Sequence, residues 1–248
     1  MKKIIRHQKN NLMRNTILLR SMFFLFFLCS TVACGQKVVI LKDSVKYNSD
    51  QYVLEEIKID SRVKHATLIQ NQIQDANDIF NKPNFKTAEE RLKAKKDTLT
   101  KLIKNDELRQ ANYGFEQYTI LFQNDKILNL SIHLQSFGSP FEVYKYFAFD
   151  LANGKKIDSS YFKDKDKLKK QIQSKLKEQA KAIKLTDKDL SSFILKTDAK
   201  NKITGITFIV YDKEKYRNSG YEEFEVDFLW SEINKFLEPD FSNFFNNN

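Results

Sequence analysis

The chain has 248 residues, of which 41% are hydrophobic and 30% charged, with a formal net charge of +10. Six of its 42 lysines and arginines precede residue 36, where no acidic residue occurs, so the rest of the chain carries 36 basic and 32 acidic residues. That balance is ordinary for a folded domain and gives no reason to expect a nucleic-acid partner. Because the only cysteines are Cys29 and Cys34, residues 36–248 can form no internal disulfide and depend on a hydrophobic core.

The first 35 residues have the pattern of a secretory signal. A basic start is followed by an apolar run of 13 residues, from Met22 to Cys34. A membrane-spanning helix needs about 20 apolar residues, so this run is too short to span and has the length of a signal core. We therefore expect residues 1–35 to direct export.

Two kinds of processing fit the end of this signal. Thr31-Val32-Ala33-Cys34 resembles a lipobox, which predicts that Cys34 becomes the lipid-bearing N-terminus of a membrane-anchored protein of the cell envelope. The alternative is ordinary cleavage after Gly35, which would release a soluble secreted or periplasmic protein. The lipoprotein interpretation is favoured because Cys34 otherwise has no role in a chain so poor in cysteine.

The first elements after the signal are two strands and a helix. Residues 37–60 contain two alternations of apolar residues around the polar turn Asn48-Ser49-Asp50, which predicts two strands. Between residues 62 and 80 apolar side chains recur every three or four positions, which predicts an amphipathic helix that Pro83 ends.

A second helix is predicted from Thr87, because Glu90 three positions later completes a capping-box pattern. Its buried side is marked by Ala88, Leu92, Leu99 and Ile103. The segment is rich in lysine, so both a largely solvated helix and an insertion remain open.

A β-rich stretch begins at Gly114. Residues 115–122 and 127–134 are predicted to form strands around a turn at 123–126. In the second strand one face carries Leu128, Leu130, Ile132 and Leu134, and the other Asn129, Ser131 and His133. An aromatic strand at 141–151 follows and ends at the turn Asn153-Gly154.

The last third continues with a basic amphipathic helix over 164–184, whose core face carries Leu168, Ile172, Leu176 and Ile183. A hairpin of 193–196 with 203–211 comes next, then a strand at 223–228. Ser231 is predicted to cap a short closing helix, and residues 241–248 are predicted to form a frayed tail.

This order predicts an α+β fold, an antiparallel β-sheet with several helices packed on one face. Residues 36–240 contain no linker rich in proline, glycine or serine, so we expect a single domain. A division into lobes 36–113 and 114–240 fits the same pattern.

Two groups of residues in the C-terminal half form a recognisable pattern. They are Asp150, Gly154-Lys155 and Tyr161-Phe162, and then Gly220 followed by the strand and Trp230-Ser231-Glu232. This pattern resembles a bacterial extracytoplasmic domain of unknown function, which forms part of the lysozyme-binding anti-sigma factor RsiV and accompanies the catalytic domain of the peptidoglycan deacetylase PdaC. The family's Gly-Ala-His-Pro segment is replaced here by Phe137-Gly-Ser-Pro.

The resemblance implies a non-catalytic binding module whose partner is a lysozyme-type protein or peptidoglycan. None of the shared motifs is catalytic, and the metal-binding residues of a deacetylase are absent from the sequence.

No residue pattern in the chain is typical of a catalytic, cofactor or metal site. His65 and His133 lack the spacing of metal ligands, and six glycines provide no phosphate-binding loop, so we expect no metal and no cofactor. Glu223, Glu225 and Asp227 share one strand face, which leaves a carboxylate-dependent envelope hydrolase as an alternative to a solvated sheet face. The lysines of the helix at 164–184 favour a solvent-facing side over contact with acidic lipid or glycan.

The density of aromatic residues is the feature that most favours a binding role. Tyr144 and Tyr146 share a strand face with Glu142, and exposed tyrosines on a sheet are suited to recognition of sugars or proteins. The candidate site is therefore Glu142, Tyr144 and Tyr146. Packing in the core explains the same residues equally well, and a structural or assembly lipoprotein without a ligand is a further alternative.

Overall fold

The computed structural model describes residues 37–75, 85–140, 142–217 and 220–243, so the predicted signal and Cys34 lie outside the described residues. The strands are β1 (Val38–Tyr47), β2 (Asp50–Ile59), β3 (Gly114–Gln123), β4 (Ile127–Ser136), β5 (Glu142–Asp150), β6 (Phe193–Thr197), β7 (Ile203–Arg217) and β8 (Gly220–Leu229). The helices are α1 (Ala66–Asp75), α2 (Ala88–Lys104), α3 (Lys165–Lys175), α4 (Trp230–Ile233) and α5 (Pro239–Asn243).

The α+β class predicted from the sequence is confirmed, and the strands divide into three antiparallel sheets. The first is the β1–β2 hairpin, and the others are the meanders β3-β4-β5 and β6-β7-β8. Consecutive strands pair in each sheet because short polar turns join them. In the first hairpin Asn48 takes the positive φ of 56° that a tight turn requires, which asparagine tolerates.

The β1–β2 hairpin packs on both of its faces. One face carries Leu54 against Leu92 and Leu99 of α2. The other face places Ile57 in a second core, with Ile69 of α1. This second core includes the apolar face of β4, where Leu128, Leu130, Ile132 and Leu134 are buried as the alternation predicted. The segment at Thr87 is therefore an integral helix, not an insertion, and its hydroxyl accepts the predicted capping bond from the Glu90 amide at 3.1 Å.

A third core lies beneath the last sheet and is rich in phenylalanine. It contains Phe162, Phe193, Phe208, Phe228 and Phe241, several of them in edge-to-face pairs, together with Leu168 and Ile172 of α3. Phe241 is thus buried in a helical turn, whereas the sequence predicted a frayed tail from this residue; residues 244–248 lie outside the described residues.

Two helix boundaries differ from the sequence prediction, and a third lies outside the described residues. The basic helix ends at Lys175, because Leu176 is extended (ψ 145°) and turns its side chain into the core; 3₁₀ turns follow it. The closing helix begins after Leu229 as N-cap, so Ser231 lies inside it. The first helix is described as far as Asp75, which leaves the predicted segment 76–80 and Pro83 outside the described residues.

A buried asparagine joins the second and third sheets. The Asn129 side chain, on β4, accepts a hydrogen bond from the Leu195 amide (2.9 Å) and donates to the carbonyl oxygens of Phe193 (3.2 Å) and Phe147 (2.9 Å). Its amide thus meets the outer edge of β6 as a neighbouring strand would. This satisfies backbone groups that burial would otherwise leave unpaired.

The turn after β5 is fixed by contact with α1 and the segment before it. Gly154 has φ +72°, and a Cβ there would lie 2.5 Å from Cβ of His65. Gln72 of α1 donates a hydrogen bond to the Gly154 carbonyl at 2.8 Å. His65 therefore contributes to packing at this turn, a contact that the sequence did not predict.

Candidate functional site

Strand register places the three predicted site residues beside His133. Along β4 and β5, Gln135 pairs with Glu142, His133 with Tyr144 and Ser131 with Tyr146. On the other side of β4, Gln117 of β3 pairs with His133. Because paired residues point to the same side of a sheet, these residues share one face. We call Gln117, His133, Glu142, Tyr144 and Tyr146 the His133 surface.

The centre of this surface is a stacked pair of rings. The His133 and Tyr144 rings are 4.4 Å apart with an interplanar angle of 10°. Nε2 of His133 lies 3.0 Å from a carboxylate oxygen of Glu142, and Nδ1 lies 3.1 Å from the side-chain oxygen of Gln117. The His133 side chain is 17% exposed and Tyr144 is 38% exposed, so the pair is fixed at the surface but still reachable.

Tyr146 of this surface and Tyr211 of β7 connect the surface to the third sheet. The Tyr146 hydroxyl donates to Glu223 at 3.3 Å, and the Tyr211 hydroxyl donates to the carbonyl oxygen of Tyr144 at 2.9 Å. Burial, together with the nearby charge of Glu223, raises the pKa of both phenols, which keeps them protonated as donors. Burial also raises the pKa of Glu223; the hydrogen bond from Tyr146 opposes this, and the like charge of Glu225 adds to it.

Of the carboxylates that share one face of β8, Glu223 and Asp227 have different partners and do not form one site. Asp227 lies 2.6 Å from the Thr207 hydroxyl and 2.6 Å from the Lys196 ammonium, and hydrogen bonds from these groups lower its pKa. Glu223 instead meets Tyr146. In the described part of the chain no three side chains of His, Cys, Asp or Glu are grouped as a metal site would need.

A groove of about 390 Å³ adjoins the His133 surface. Its rings are those of Tyr52, Phe115 and Phe137, with Tyr52 centred 5.8 Å from each of the other two. Gln117 and Gln135 line the groove and also belong to or contact the His133 surface, since Gln135 donates to Glu142 at 3.3 Å. The groove and the surface are therefore continuous.

A second polar cluster, entirely buried, lies where α2 meets β2 and β3. Arg91 and Lys95 of α2 contact Glu56 of β2 and Glu116 of β3, and we call these four residues the buried ion network. Arg91 binds both oxygens of Glu116 at 2.7 Å, and Lys95 lies 2.7 Å from each carboxylate. The Tyr118 hydroxyl donates to Glu116 at 2.7 Å.

The buried ion network is neutral overall and its groups are almost inaccessible. Burial alone would raise the pKa of Glu116, but the hydrogen bond from Arg91 and the charges of Lys95 and Arg91 lower it to about 2. Each charge faces an opposite charge, and Lys95 also donates to the carbonyl oxygen of Glu55 at 2.6 Å. This arrangement fastens α2 to the sheets and is not shaped to bind a ligand.

The basic helix α3 gives less indication of a binding site than the His133 surface does. It uses several lysines within the fold: Lys169 pairs with Asp187 at 2.6 Å and Lys175 with Glu232 at 2.8 Å. In the described ranges no helix has both the length and the apolar character to cross a membrane.

Comparison with known proteins bears on the fold. No protein-family model matches the chain, and no curated protein matches it in sequence. A crystal structure of a DUF3298 family protein from Pseudomonas aeruginosa PAO1 is similar, with a TM-score of 0.51 and 11% identity, over 82% of this chain and 94% of that one. The chain has the fold of a DUF3298 protein. A DUF3298 family member from Bacteroides fragilis NCTC 9343 gives a TM-score of 0.49 and 12% identity over the same shares.

At this identity the DUF3298 likeness shows a shared fold and nothing about ligands. It agrees with the expectation of a domain of unknown function, and the link to RsiV and PdaC stays a prediction. The site must therefore be argued from the residues of this chain.

Sequence reasoning missed Gln117 and the groove. Gln117 was missed because a turn at 123–126 would pair it with Ile132, whereas the observed register, with an irregularity between Ile120 and Phe122, pairs it with His133. The groove could not be predicted, because it brings together the start of β2 and the loop after β4, which are about 85 residues apart in the chain.

Proposed function

We propose that the chain is a non-catalytic binding module of the bacterial cell envelope, anchored through Cys34, and that its ligand is a cell-wall glycan bound at the His133 surface. The observation that carries the proposal is the exposed His133–Tyr144 stack between the hydrogen-bonding side chains of Gln117 and Glu142. The signal and lipobox pattern supports the location.

The chemistry of this surface suits a sugar. A pyranose ring offers patches of C–H groups that pack on an aromatic face, and hydroxyls that bond to carboxylate and amide groups at the rim of that face. The rings of His133 and Tyr144 already hold each other in place, so a ligand would order few side chains on binding.

The alternative of a carboxylate-dependent hydrolase is less well supported. Glu223 and Asp227 are four residues apart on β8, which separates their backbones by about 13 Å. Paired glycosidase carboxyl groups lie roughly 5–9.5 Å apart. Since Asp227 is also held by Lys196 and Thr207, we favour binding over catalysis.

The test is calorimetry and affinity capture with the purified chain, using soluble peptidoglycan fragments and a panel of lysozyme-type enzymes. We expect saturable glycan binding that Tyr144→Ala weakens about tenfold, the equivalent of about 1.4 kcal/mol. Leu229→Ala is the matched control, because Leu229 is 58% exposed on β8 and contributes nothing to the His133 surface.

Three outcomes would contradict parts of the proposal. Binding of a lysozyme-type enzyme but no glycan would make the module a protein receptor. If the wild type hydrolysed the fragments and Glu223→Gln abolished that activity, the hydrolase hypothesis would replace the binding module. If the folded chain bound neither ligand, the role of a structural lipoprotein would remain. The lipid anchor is tested separately, by mass spectrometry of the N-terminus with Cys34→Ser as the control.

A further inference from the structure

The groove beside the His133 surface has an unusual lining for a chain in which 30% of residues are charged. Its polar side chains include the amides of Gln51, Gln117 and Gln135, and its rings are Tyr52, Phe115 and Phe137. Among the described residues that line it, none is charged. Its volume of about 390 Å³ lies in the range of small-ligand sites, roughly 300–1,000 Å³.

We infer that this groove is a subsite for an uncharged N-acetylated sugar unit of the glycan, so that the module binds an oligosaccharide and not a single sugar. The inference rests on the proposed function and assigns its ligand class. It is carried by the composition of the groove and by its continuity with the His133 surface.

The lining matches the two parts of such a sugar. Aromatic faces accept its C–H patches, and a ring stack such as Tyr52 on Phe115, at 5.8 Å and 21°, is a preset flat wall. Side-chain amides both donate and accept, which pairs them with hydroxyls and with the acetamido group. The ammonium group of a sugar without its acetyl group would gain no ionic partner among the groove residues and would lose hydration there.

The geometry of the sheet sets the length of the ligand. Neighbouring strands lie about 4.8 Å apart, and alternate residues of one strand about 6.8 Å apart. From Phe115 on β3 to Tyr144 on β5 the path crosses two strand spacings and one two-residue step, a distance of about 12 Å. Gln117 lies between these ends and contacts His133, so a chain of several sugars can contact both regions at once.

The experiment is calorimetric titration of the purified chain with N-acetylglucosamine oligomers of increasing length and with the same oligomers after de-N-acetylation. We expect affinity to rise at least tenfold from the monomer to the longer oligomers, and to fall when the acetyl groups are removed. Val53→Arg should remove that gain, because Val53 is 41% exposed and lines the groove, so a long side chain there fills it without removing a ring. Gln135→Ala should reduce the gain in part.

Matched controls separate the groove from the rest of the fold. Leu229→Arg introduces the same side chain at another exposed strand position, and Gln171→Ala removes an amide on α3; both should keep the length dependence. The inference is overturned if Val53→Arg binds long oligomers as the wild type does while Tyr144→Ala still weakens them, or if de-N-acetylated oligomers bind equally well. If the wild type binds no oligomer, the proposed function itself fails.

Discussion

The buried ion network and the His133 surface both use polar side chains on or next to the central strands β3–β5, but in opposite environments. The network pairs an arginine and a lysine with two carboxylates, whereas the surface combines a histidine, a glutamine, one carboxylate and two tyrosines. In the network the side chains are dry and bond one another at about 2.7 Å. At the surface the His133 and Tyr144 rings hold each other while Tyr144 stays 38% exposed.

The difference in accessibility separates a cluster that stabilises the fold from the surface that we propose as a binding site. Removing charges from water costs several kcal/mol per ion, so the network persists only because each charge is compensated. Such a cluster has no free capacity for a ligand. The surface pairs are weak individually, but they preset a face on which a ligand can form further bonds.

The largest expected effect comes from breaking the network. Arg91→Met leaves Glu56 and Glu116 buried with only Lys95 to compensate two negative charges. Breaking a buried pair in this way costs about 3–5 kcal/mol of unfolding free energy. Urea unfolding followed by circular dichroism would measure the loss.

Lys93→Met is the matched control on the same helix. Lys93 pairs with Asp97 at 2.8 Å, but both side chains are exposed, so we expect no resolvable change in the urea midpoint. Equal urea midpoints for the two variants would show that the network contributes no more to the free energy of unfolding than an exposed pair does. That result would contradict the distinction drawn between buried and exposed clusters.

Acid should weaken the network through Glu116. Its pKa is lowered from 4.5 to about 2 in the folded chain, against the effect of burial, by Arg91 and Lys95. A lowered pKa gives stability that is full above about pH 4.5 and is lost as the pH falls towards 2, roughly 3 kcal/mol in all. Glu116→Gln should be less stable than wild type at pH 7 and should lose less stability between pH 4.5 and 2. Parallel pH profiles for the two proteins would contradict this assignment.

The sequence revealed the surface more readily than the network. Period-two alternation in 141–151 was enough to set Glu142, Tyr144 and Tyr146 on one face, because a strand's side chains alternate whatever it packs against. The α+β class followed in the same way from local periods and turns.

The network was hidden because its residues look polar in isolation. Arg91 and Lys95 lie on the same stripe of α2 as Ala88, Leu92 and Leu99, at spacings of three and four residues. Only the partners Glu56 and Glu116, which are distant in sequence, explain why charges occur on a buried stripe. The apolar pattern of β2 does shift at Glu55-Glu56, and this indicates a strand buried on both faces.

A third expected effect concerns β4, where the side chains on one face change from buried to partly exposed along the strand. Asn129 and His133 are on the same face of this strand, yet Asn129 is buried under β6. Asn129→Ala removes bonds to Leu195, Phe193 and Phe147, and unsatisfied buried groups cost about 1–3 kcal/mol each. Allowing for partial relaxation, we expect a loss of roughly 2–3 kcal/mol and faster hydrogen exchange at the Leu195 amide. Asn234→Ala, at an exposed position, should change neither.

The smallest expected effect has the opposite sign to that of Glu116. Burial raises the pKa of Glu223, so ionisation of this carboxyl opposes folding, and stability falls as the pH rises through 4.5 to the higher folded value. Glu223→Gln resembles the neutral form and keeps an oxygen to accept from Tyr146, so the variant should be slightly more stable than wild type at pH 7 and gain nothing at pH 3. Urea midpoints at both pH values would measure this, with the exposed Glu107→Gln as control. A loss of stability at pH 7 would mean that Glu223, like Glu116, is held by a compensating charge, and it would contradict the raised pKa that burial gives Glu223.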